Sequence, residues 1–210
     1  METLVHNLLR DLVAIDSVNP SLVPGARGEV DAAHFLRDWL AKQDIIAELQ
    51  EANSEAAMSR PNVVARLGPE RERAALLIVA HMDTVGAGDM LEPFTPRERD
   101  GRLYGRGALD IKSGVAAMCA AAARLAQQNA KLSKPLVIAA VVDEECNSIG
   151  TQALVKRVAA EAAVVMEPTD LRLCTAHKGY AWLEVTTRGR AAHGSLPEEG
   201  RDAIAHMGRV

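Results

Sequence analysis

Three short apolar runs, each followed directly by polar residues, constrain the fold of this chain most strongly. The runs and the residues behind them are 74–80 with His81, 136–142 with Asp143, Glu144 and Glu145, and 162–166 with Glu167. Apolar stretches of this length are typical of strands that are buried on both faces, as in parallel sheets. The carboxyl ends of such strands form the ligand crevice of open α/β sheets. The pattern therefore predicts a polar site at one edge of a sheet.

The rest of the chain fits an α/β fold, in which helices cover both faces of a mixed, mainly parallel sheet. Helical periodicity predicts amphipathic helices over 2–16 and 28–42, and an Ala-rich apolar segment predicts a buried helix over 113–128. The other predicted elements are strands near 44–50 and 62–67, a long loop over 86–106 and a helix over 149–160. Together with the three apolar runs, these elements make up the predicted α/β fold.

The pattern changes near residue 176. From there to residue 193 the sequence alternates like a half-exposed antiparallel strand, and a new helix is predicted after Gly200. We therefore expect a first domain over 1–175 and the beginning of a smaller α+β domain over 176–210.

Composition excludes several classes of function. Charged residues make up 25% of the chain and hydrophobic residues 48%, which are ordinary values for a soluble globular protein. The net charge of −4 offers no basic surface for nucleic acid, and no apolar run is long enough to span a membrane. The three cysteines are odd in number and form no CxxC pair, which indicates a reducing cytoplasm rather than a disulfide framework.

The residue types behind the apolar runs are those that bind divalent metal ions. Histidine nitrogen and carboxylate oxygen suit zinc, and two such ions usually share a bridging carboxylate and a bridging water. The carboxylates of Asp110, Glu145 and Glu167, together with one hydroxide, would balance the charge of two divalent ions. We therefore expect a site for two divalent metal ions, with zinc favoured over cobalt or manganese, and hydrolytic chemistry.

Two further acidic residues fit supporting roles beside the metal ligands. In the pair Glu144-Glu145, one carboxylate can bind metal while its neighbour takes a proton from water whose pKa the metal lowers to about 7. Asp83 lies two residues beyond His81 and is placed to hold the second N–H of its imidazole.

The order of these motifs resembles the co-catalytic zinc aminoacylase family. This family includes acetylornithine deacetylase, succinyl-diaminopimelate desuccinylase and the glutamate-releasing carboxypeptidases. The matching segments are HMDTV (81–85), PFTPRERDGRLYGRGALDIKSG (93–114), VVDEE (141–145), MEPT (166–169), AHKG (176–179) and GRAAHGSLPEEGRDAI (189–204). MEPT followed by AHKG looks most like the acetylornithine deacetylase branch. Ile111 and Ser113 depart from the fuller family pattern, but neither replaces a ligand.

The resemblance implies a role for each residue of the predicted site. His81 and Glu167 would be terminal ligands of one metal, Glu145 would bind the other, and Asp110 would bridge the two. Glu144 would be the general base.

Three more features follow from the resemblance. Asp83 would orient the imidazole, and the peptide bond between Asp110 and Ile111 would be cis. His193 resembles the family histidine that leaves the small domain and steadies the oxyanion in the site of a partner subunit. For His177 the sequence leaves core packing and a position in the cleft equally open.

The implied activity is metal-dependent hydrolysis of the amide bond of a small N-acyl amino acid such as N-acetylornithine, by a cytoplasmic homodimer. The alternative within the family is a dipeptidase or carboxypeptidase. The alternative from another class is a catalytically silent metal-binding or dimer-forming protein. The family's second terminal histidine comes from a late segment that these 210 residues do not contain. We therefore expect a poorly active N-terminal portion: a catalytic domain without its C-terminal part, followed by the beginning of a lid or dimerisation domain.

Overall fold

The computed structural model describes residues 2–53, 58–70, 73–176, 178–179, 181 and 183–210. These residues form two compact units, Met1–Leu171 and Arg172–Val210. The predicted domain boundary lies a few residues after Leu171, and the functions expected of the two domains stay predictions. His177 lies outside the described residues.

The described residues contain seven strands and five α-helices. The strands are β1 (Ala47–Glu51), β2 (Pro61–Leu67), β3 (Arg73–His81), β4 (Arg97–Arg99), β5 (Arg102–Tyr104), β6 (Leu136–Val141) and β7 (Ala159–Val165). The helices are α1 (Glu2–Val13), α2 (Val30–Ala41), α3 (Lys112–Gln127), α4 (Ile149–Val155) and α5 (Ala203–Met207). None of these helices is long and apolar enough to cross a bilayer.

A mixed five-stranded sheet forms the centre of the first unit. Its strand order is β1-β2-β6-β3-β7. The pairs β1–β2 and β2–β6 are antiparallel, whereas β6–β3 and β3–β7 are parallel. The predicted α/β class with a mixed sheet is confirmed, but the sheet is not mainly parallel as expected, because β2 runs antiparallel to both of its neighbours. The parallel half of the sheet carries the three strands that precede the predicted site residues.

Helices cover both faces of this sheet, as predicted. Successive side chains of a strand point to opposite faces. In β6, Ile138 and Ala140 join a buried cluster with α1, α2 and α3, whereas Val137 and Val141 join a second cluster that contains Leu154 of α4. Because both faces are buried, β6 is apolar along its whole length, which explains why its sequence shows no alternation.

Three predicted elements differ from the structure. The predicted loop over 86–106 contains the hairpin β4–β5, which turns at Asp100 and Gly101 with φ values of 52° and 72°. An Asp-Gly pair with positive φ at both positions is the turn that a two-residue hairpin favours. The helix predicted to reach residue 160 ends at Val155, because the Ala-rich segment after it pairs with β3 as strand β7.

The third difference lies in the second unit. In the described residues from 183 to 189 there is no strand, although the sequence alternates as a strand does. A strand needs a neighbour for its backbone N–H and C=O groups. Arg190 and Arg201 of this unit form an isolated antiparallel bridge. Helix α5 forms after it, where the Asp202 carboxylate accepts the N–H groups of Ile204 and Ala205.

Candidate metal centre

Parallel pairing brings the polar ends of three strands to one edge of the sheet. His81 is the last residue of β3 and pairs with Val141, the last residue of β6. Strand β7 also runs parallel to β3 and ends at Val165, but it is an edge strand and largely exposed, so the expected burial on both faces is wrong for this strand. The residues that follow these strands therefore emerge side by side, which is the arrangement predicted from the apolar runs.

Asp110 reaches this edge from the loop before α3. The peptide bond between Asp110 and Ile111 is cis, as the family resemblance implies. The buried side chain of Lys112 fixes the beginning of α3, because its Nζ donates to the carbonyl oxygens of Leu12 and Ile15 at 3.0 and 2.7 Å. Asp110 Oδ1 then lies 3.2 Å from Nε2 of His81.

The structure brings all five predicted metal and base residues together. Ligand atoms of His81, Glu144 and Glu167 lie within 4.8 Å of one another, and so do those of His81, Asp110 and Glu145. His81 is fully buried and belongs to both groups, whereas the carboxylates around it are half-buried or exposed. Both groups fit divalent metal ions. Which carboxylate binds a metal and which acts as base stays a prediction.

Asp83 contacts the imidazole mainly through its backbone. Nδ1 of His81 lies 3.0 Å from the carbonyl oxygen of Asp83 and 3.5 Å from its Oδ1. The Asp83 carboxylate accepts the backbone N–H groups of Glu144 and Glu145, both at 3.1 Å. A single residue therefore contacts the histidine and also accepts hydrogen bonds from the backbone of the glutamate pair. The sequence had indicated only the first of these contacts.

The electrostatics of the cluster favour a bound cation. Burial alone lowers the pKa of His81, but Asp110, Asp83 and Glu144 outweigh burial and raise that pKa to about 11. Burial, reinforced by the neighbouring carboxylates, raises the pKa of Glu167 to about 7 and also raises that of Glu145. Raised pKa values mean that too little positive charge lies nearby to stabilise the ionised form of these carboxyl groups. A divalent ion supplies that charge, so the donor set fits one.

Comparison with known proteins agrees with this geometry. Residues 77–194 match the family model described as peptidase family M20/M25/M40. The chain belongs to this family. The resemblance noted in the motifs is thereby confirmed.

Two curated relatives and one solved structure illustrate the similarity. A probable succinyl-diaminopimelate desuccinylase of Staphylococcus epidermidis is 34% identical over 204 residues, covering 94% of this chain and 47% of that protein. Acetylornithine deacetylase of Myxococcus xanthus is 35% identical over 209 residues, covering 96% and 51%. A tripeptidase of Staphylococcus aureus superposes with a TM-score of 0.69 at 20% identity, over 100% of this chain and 55% of that one, which shows the fold alone. The chain spans about half the length of the curated relatives it matches.

Sequence reasoning missed a set of buried polar residues beneath the centre of this M20-family chain. They are Asn19, Glu29, Arg60 and Asp143, and the hydroxyl group of the exposed residue Ser21 contacts Arg60 and Asp143. Asn19 reaches the site because its segment pairs with the residues after β3, where its N–H donates to Thr84 O at 2.9 Å. The sequence offers one signal for this network, namely a third carboxylate, Asp143, directly before the glutamate pair.

His193 belongs to the second unit. Its Nδ1 lies 2.8 Å from the hydroxyl oxygen of Ser195, and both residues are exposed. The expected role of His193 at the site of a partner subunit stays a prediction.

Proposed function

We propose that the whole protein hydrolyses the amide bond of small N-acyl amino acids with the help of two divalent metal ions. The observation that carries this proposal is the cluster in which His81 belongs to two groups of ligand atoms, each within 4.8 Å. Support comes from the two curated relatives, which are named for removing succinyl and acetyl groups from amino-acid substrates.

The metal ligands in this proposal are four side chains. His81 and Glu167 would hold one ion, Glu145 would hold the other, and Asp110 would serve both. Zinc suits this nitrogen and oxygen donor set, and cobalt and manganese are the alternatives. When bound, the ions supply a Lewis acid for the carbonyl and lower the pKa of water to about 7.

Glu144 moves the proton in this proposal. Its side chain is 43% exposed, so water can reach it, and its Oε2 lies 3.7 Å from His81 Nε2. The carboxylate takes a proton from the attacking water and later passes it to the leaving amine. Because Asp83 holds the backbone of Glu144, the base is kept in place through both transfers.

Partner and location belong to the same proposal. We expect a homodimer in which His193 of one subunit steadies the oxyanion in the other. The three cysteines, Cys119, Cys146 and Cys174, are free thiols, which is compatible with a reducing cytoplasm.

The test is a turnover screen of the whole protein loaded with zinc, cobalt or manganese. Its substrates are N-acetyl and N-succinyl amino acids and a set of dipeptides, and released amine is measured. We expect kcat/KM for the best N-acyl substrate to reach at least about 10⁴ M⁻¹s⁻¹. Preference for dipeptides would make the protein a peptidase. Folded, metal-loaded protein that cleaves no amide would support the catalytically silent alternative and contradict the proposal.

A further inference from the structure

A buried guanidinium pairs with Asp143, the residue directly before the glutamate pair. The side chain of Arg60 is only 7% exposed and pairs with the fully buried carboxylates of Glu29 and Asp143. Nε and Nη2 donate to the two oxygens of Glu29, and Nη2 also donates to Asn19 Oδ1 at 3.1 Å. Nη1 donates to Asp143 Oδ1 and Ser21 Oγ, both at 2.9 Å. All five N–H groups of the guanidinium therefore have a partner.

The sheet topology delivers Arg60 to this position. Arg60 directly precedes β2, which runs antiparallel to β6 with Val63 opposite Ala140. The beginning of β2 therefore lies beside the end of β6, where Asp143 and the glutamate pair follow. Arg60, which comes just before β2, therefore lies close to Asp143, which comes just after β6.

Asp143 has an unusual backbone conformation that these contacts support. Its φ is 62°, in the left-handed region that non-glycine residues adopt rarely. Its N–H donates to Glu29 Oε1 at 3.2 Å, and its Oδ2 accepts the N–H of Asn147 at 3.2 Å. Glu29 and Arg60 therefore hold both the backbone and the side chain of the residue at which the chain turns toward the metal centre.

The same network reaches the metal centre by a second route. Asn19 accepts a hydrogen bond from Arg60 and donates through Nδ2 to Asp83 Oδ2 at 2.7 Å and to Asp143 Oδ1 at 3.0 Å. Asp83 in turn accepts the backbone N–H groups of Glu144 and Glu145. The glutamate pair is thus held through Asp143, which precedes it, and through Asp83, which accepts its backbone N–H groups. Both carboxylates are linked to the guanidinium of Arg60, Asp143 directly and Asp83 by way of Asn19.

We propose that Arg60 is a positioning residue, which holds the turn at Asp143 so that Glu144 and Glu145 point their carboxylates toward His81. Arg60 donates to none of these three site residues. It acts through Asp143 and, by way of Asn19, through Asp83. The effect on turnover rests on the proposed function, whereas the effect on metal geometry does not.

The test compares Arg60→Lys, Arg60→Met and Asp143→Asn in the whole protein, with Arg37→Met as the control. Lysine keeps the buried charge, but its single ammonium cannot reproduce the five-donor geometry. The side chain of Arg37 is 37% exposed and pairs with its neighbour Asp38, so its loss should leave the metal centre unchanged. We measure the visible absorption spectrum and affinity of bound cobalt, kcat and KM, and the thermal unfolding of each variant.

We expect Arg60→Lys and Arg60→Met to change the cobalt spectrum and to weaken binding of the second ion by about tenfold or more. The value of kcat should fall by about 10- to 100-fold, while KM stays within about threefold. Asp143→Asn should act in the same direction. Because both residues lie on one path, the double variant Arg60→Met/Asp143→Asn should be no more than about threefold worse than the poorer single variant.

Three results would overturn the proposal. One is a folded Arg60 variant with the wild-type cobalt spectrum and affinity, whatever its thermal stability. Another is a double variant whose loss equals the product of the single losses, since Arg60 would then act independently of Asp143. The third is the failure of all Arg60 and Asp143 variants to fold, which would make the network purely structural. If wild-type protein cleaves no amide, the proposed function fails, but the cobalt measurements still decide the role of Arg60.

Discussion

Glu144 and Glu145 are neighbours in sequence, share the carboxylate that holds their backbone, and still enter different groups of ligand atoms. We predict that their amide variants behave differently. Glu144→Gln should lower kcat by about 10²- to 10⁴-fold and leave the metal content intact, because a base is lost rather than a ligand. Glu145→Gln should lower activity and weaken one metal, as measured by elemental analysis after dialysis.

The two glutamines provide matched controls for each other, because both changes remove one charge at adjacent positions of the same turn. Equal metal loss in both variants would mean that both glutamates bind metal. Metal loss only in Glu144→Gln would exchange their roles.

Asp110 is the carboxylate closest to the histidine, with Oδ1 3.2 Å from Nε2. We predict that Asp110→Ala lowers zinc affinity by at least about tenfold, because the proposed bridge between the ions is lost. Asp89→Ala removes the same side chain from an exposed loop position and should bind zinc as the unmodified chain does. Calorimetric titration of the chain with zinc measures both. Unchanged affinity and stoichiometry in Asp110→Ala would remove Asp110 from the ligand set.

Helix α4 packs closely against the end of β6, the strand that leads to the glutamate pair. A Cβ added at Gly150 would lie 2.5 Å from the carbonyl oxygen of Val142 and would also meet Asn62 Oδ1. Backbone at that distance cannot move without displacing α4 from β6. The helix preference for alanine, worth about 1 kcal/mol, opposes this effect only in part.

We predict that Gly150→Ala lowers the free energy of unfolding by about 1–3 kcal/mol, which is the usual cost of overpacking. Gly194→Ala is the control, since an added Cβ there meets nothing within 4 Å, and it should stay within about 0.5 kcal/mol of the unmodified chain. Urea unfolding curves compare the two variants. Equal stability in both would show that α4 can move away from β6 at little cost.

The elements that the sequence predicts well are those whose pattern depends on burial alone. Strands β3 and β6 and helix α3 are apolar because the core surrounds them, and their ends therefore place His81 and the glutamate pair. Strand β7 was placed too late because its sequence, AAEAAVV, is rich in residues that favour helix. Its pairing with β3 decides its conformation, and a single sequence does not contain that information.

The difference between local motifs and long-range pairing also explains which site residues the sequence predicts and which it misses. His81, Asp110 and the glutamates each follow or flank a recognisable motif. Arg60 and Asn19 reach the site only through pairing between segments that are distant in sequence, namely β2 with β6 and the 17–19 segment with the residues after β3. Their importance therefore becomes visible only with the topology.

Protons and divalent metal ions compete for the same partly buried site. In the metal-free protein, burial and neighbouring carboxylates raise the pKa of Glu167 from an ordinary 4.5 to about 7. The stability that this raised pKa contributes is fully present below about pH 4.5 and is lost as the pH rises through 7. The raised pKa of His81 acts in the same direction, from about pH 6.5 upward. Burial lowers the pKa of Lys112 to about 7, which acts in the opposite direction, but only above that pH.

We therefore predict that the metal-free chain becomes less stable as the pH rises from 5 to 7, because its folded form releases protons that the unfolded form has already lost. A divalent ion should reverse this trend, since it replaces those protons and binds more tightly as they leave. At a concentration of about 100 times Kd, the ion should add about 2.7 kcal/mol to the free energy of unfolding. Thermal unfolding at several pH values, with zinc and with a chelator, measures both curves. In Glu167→Gln the metal-free curve should be flatter between pH 5 and 7. A metal-free chain that gains stability over this range, or a zinc effect that does not grow with pH, would contradict the prediction.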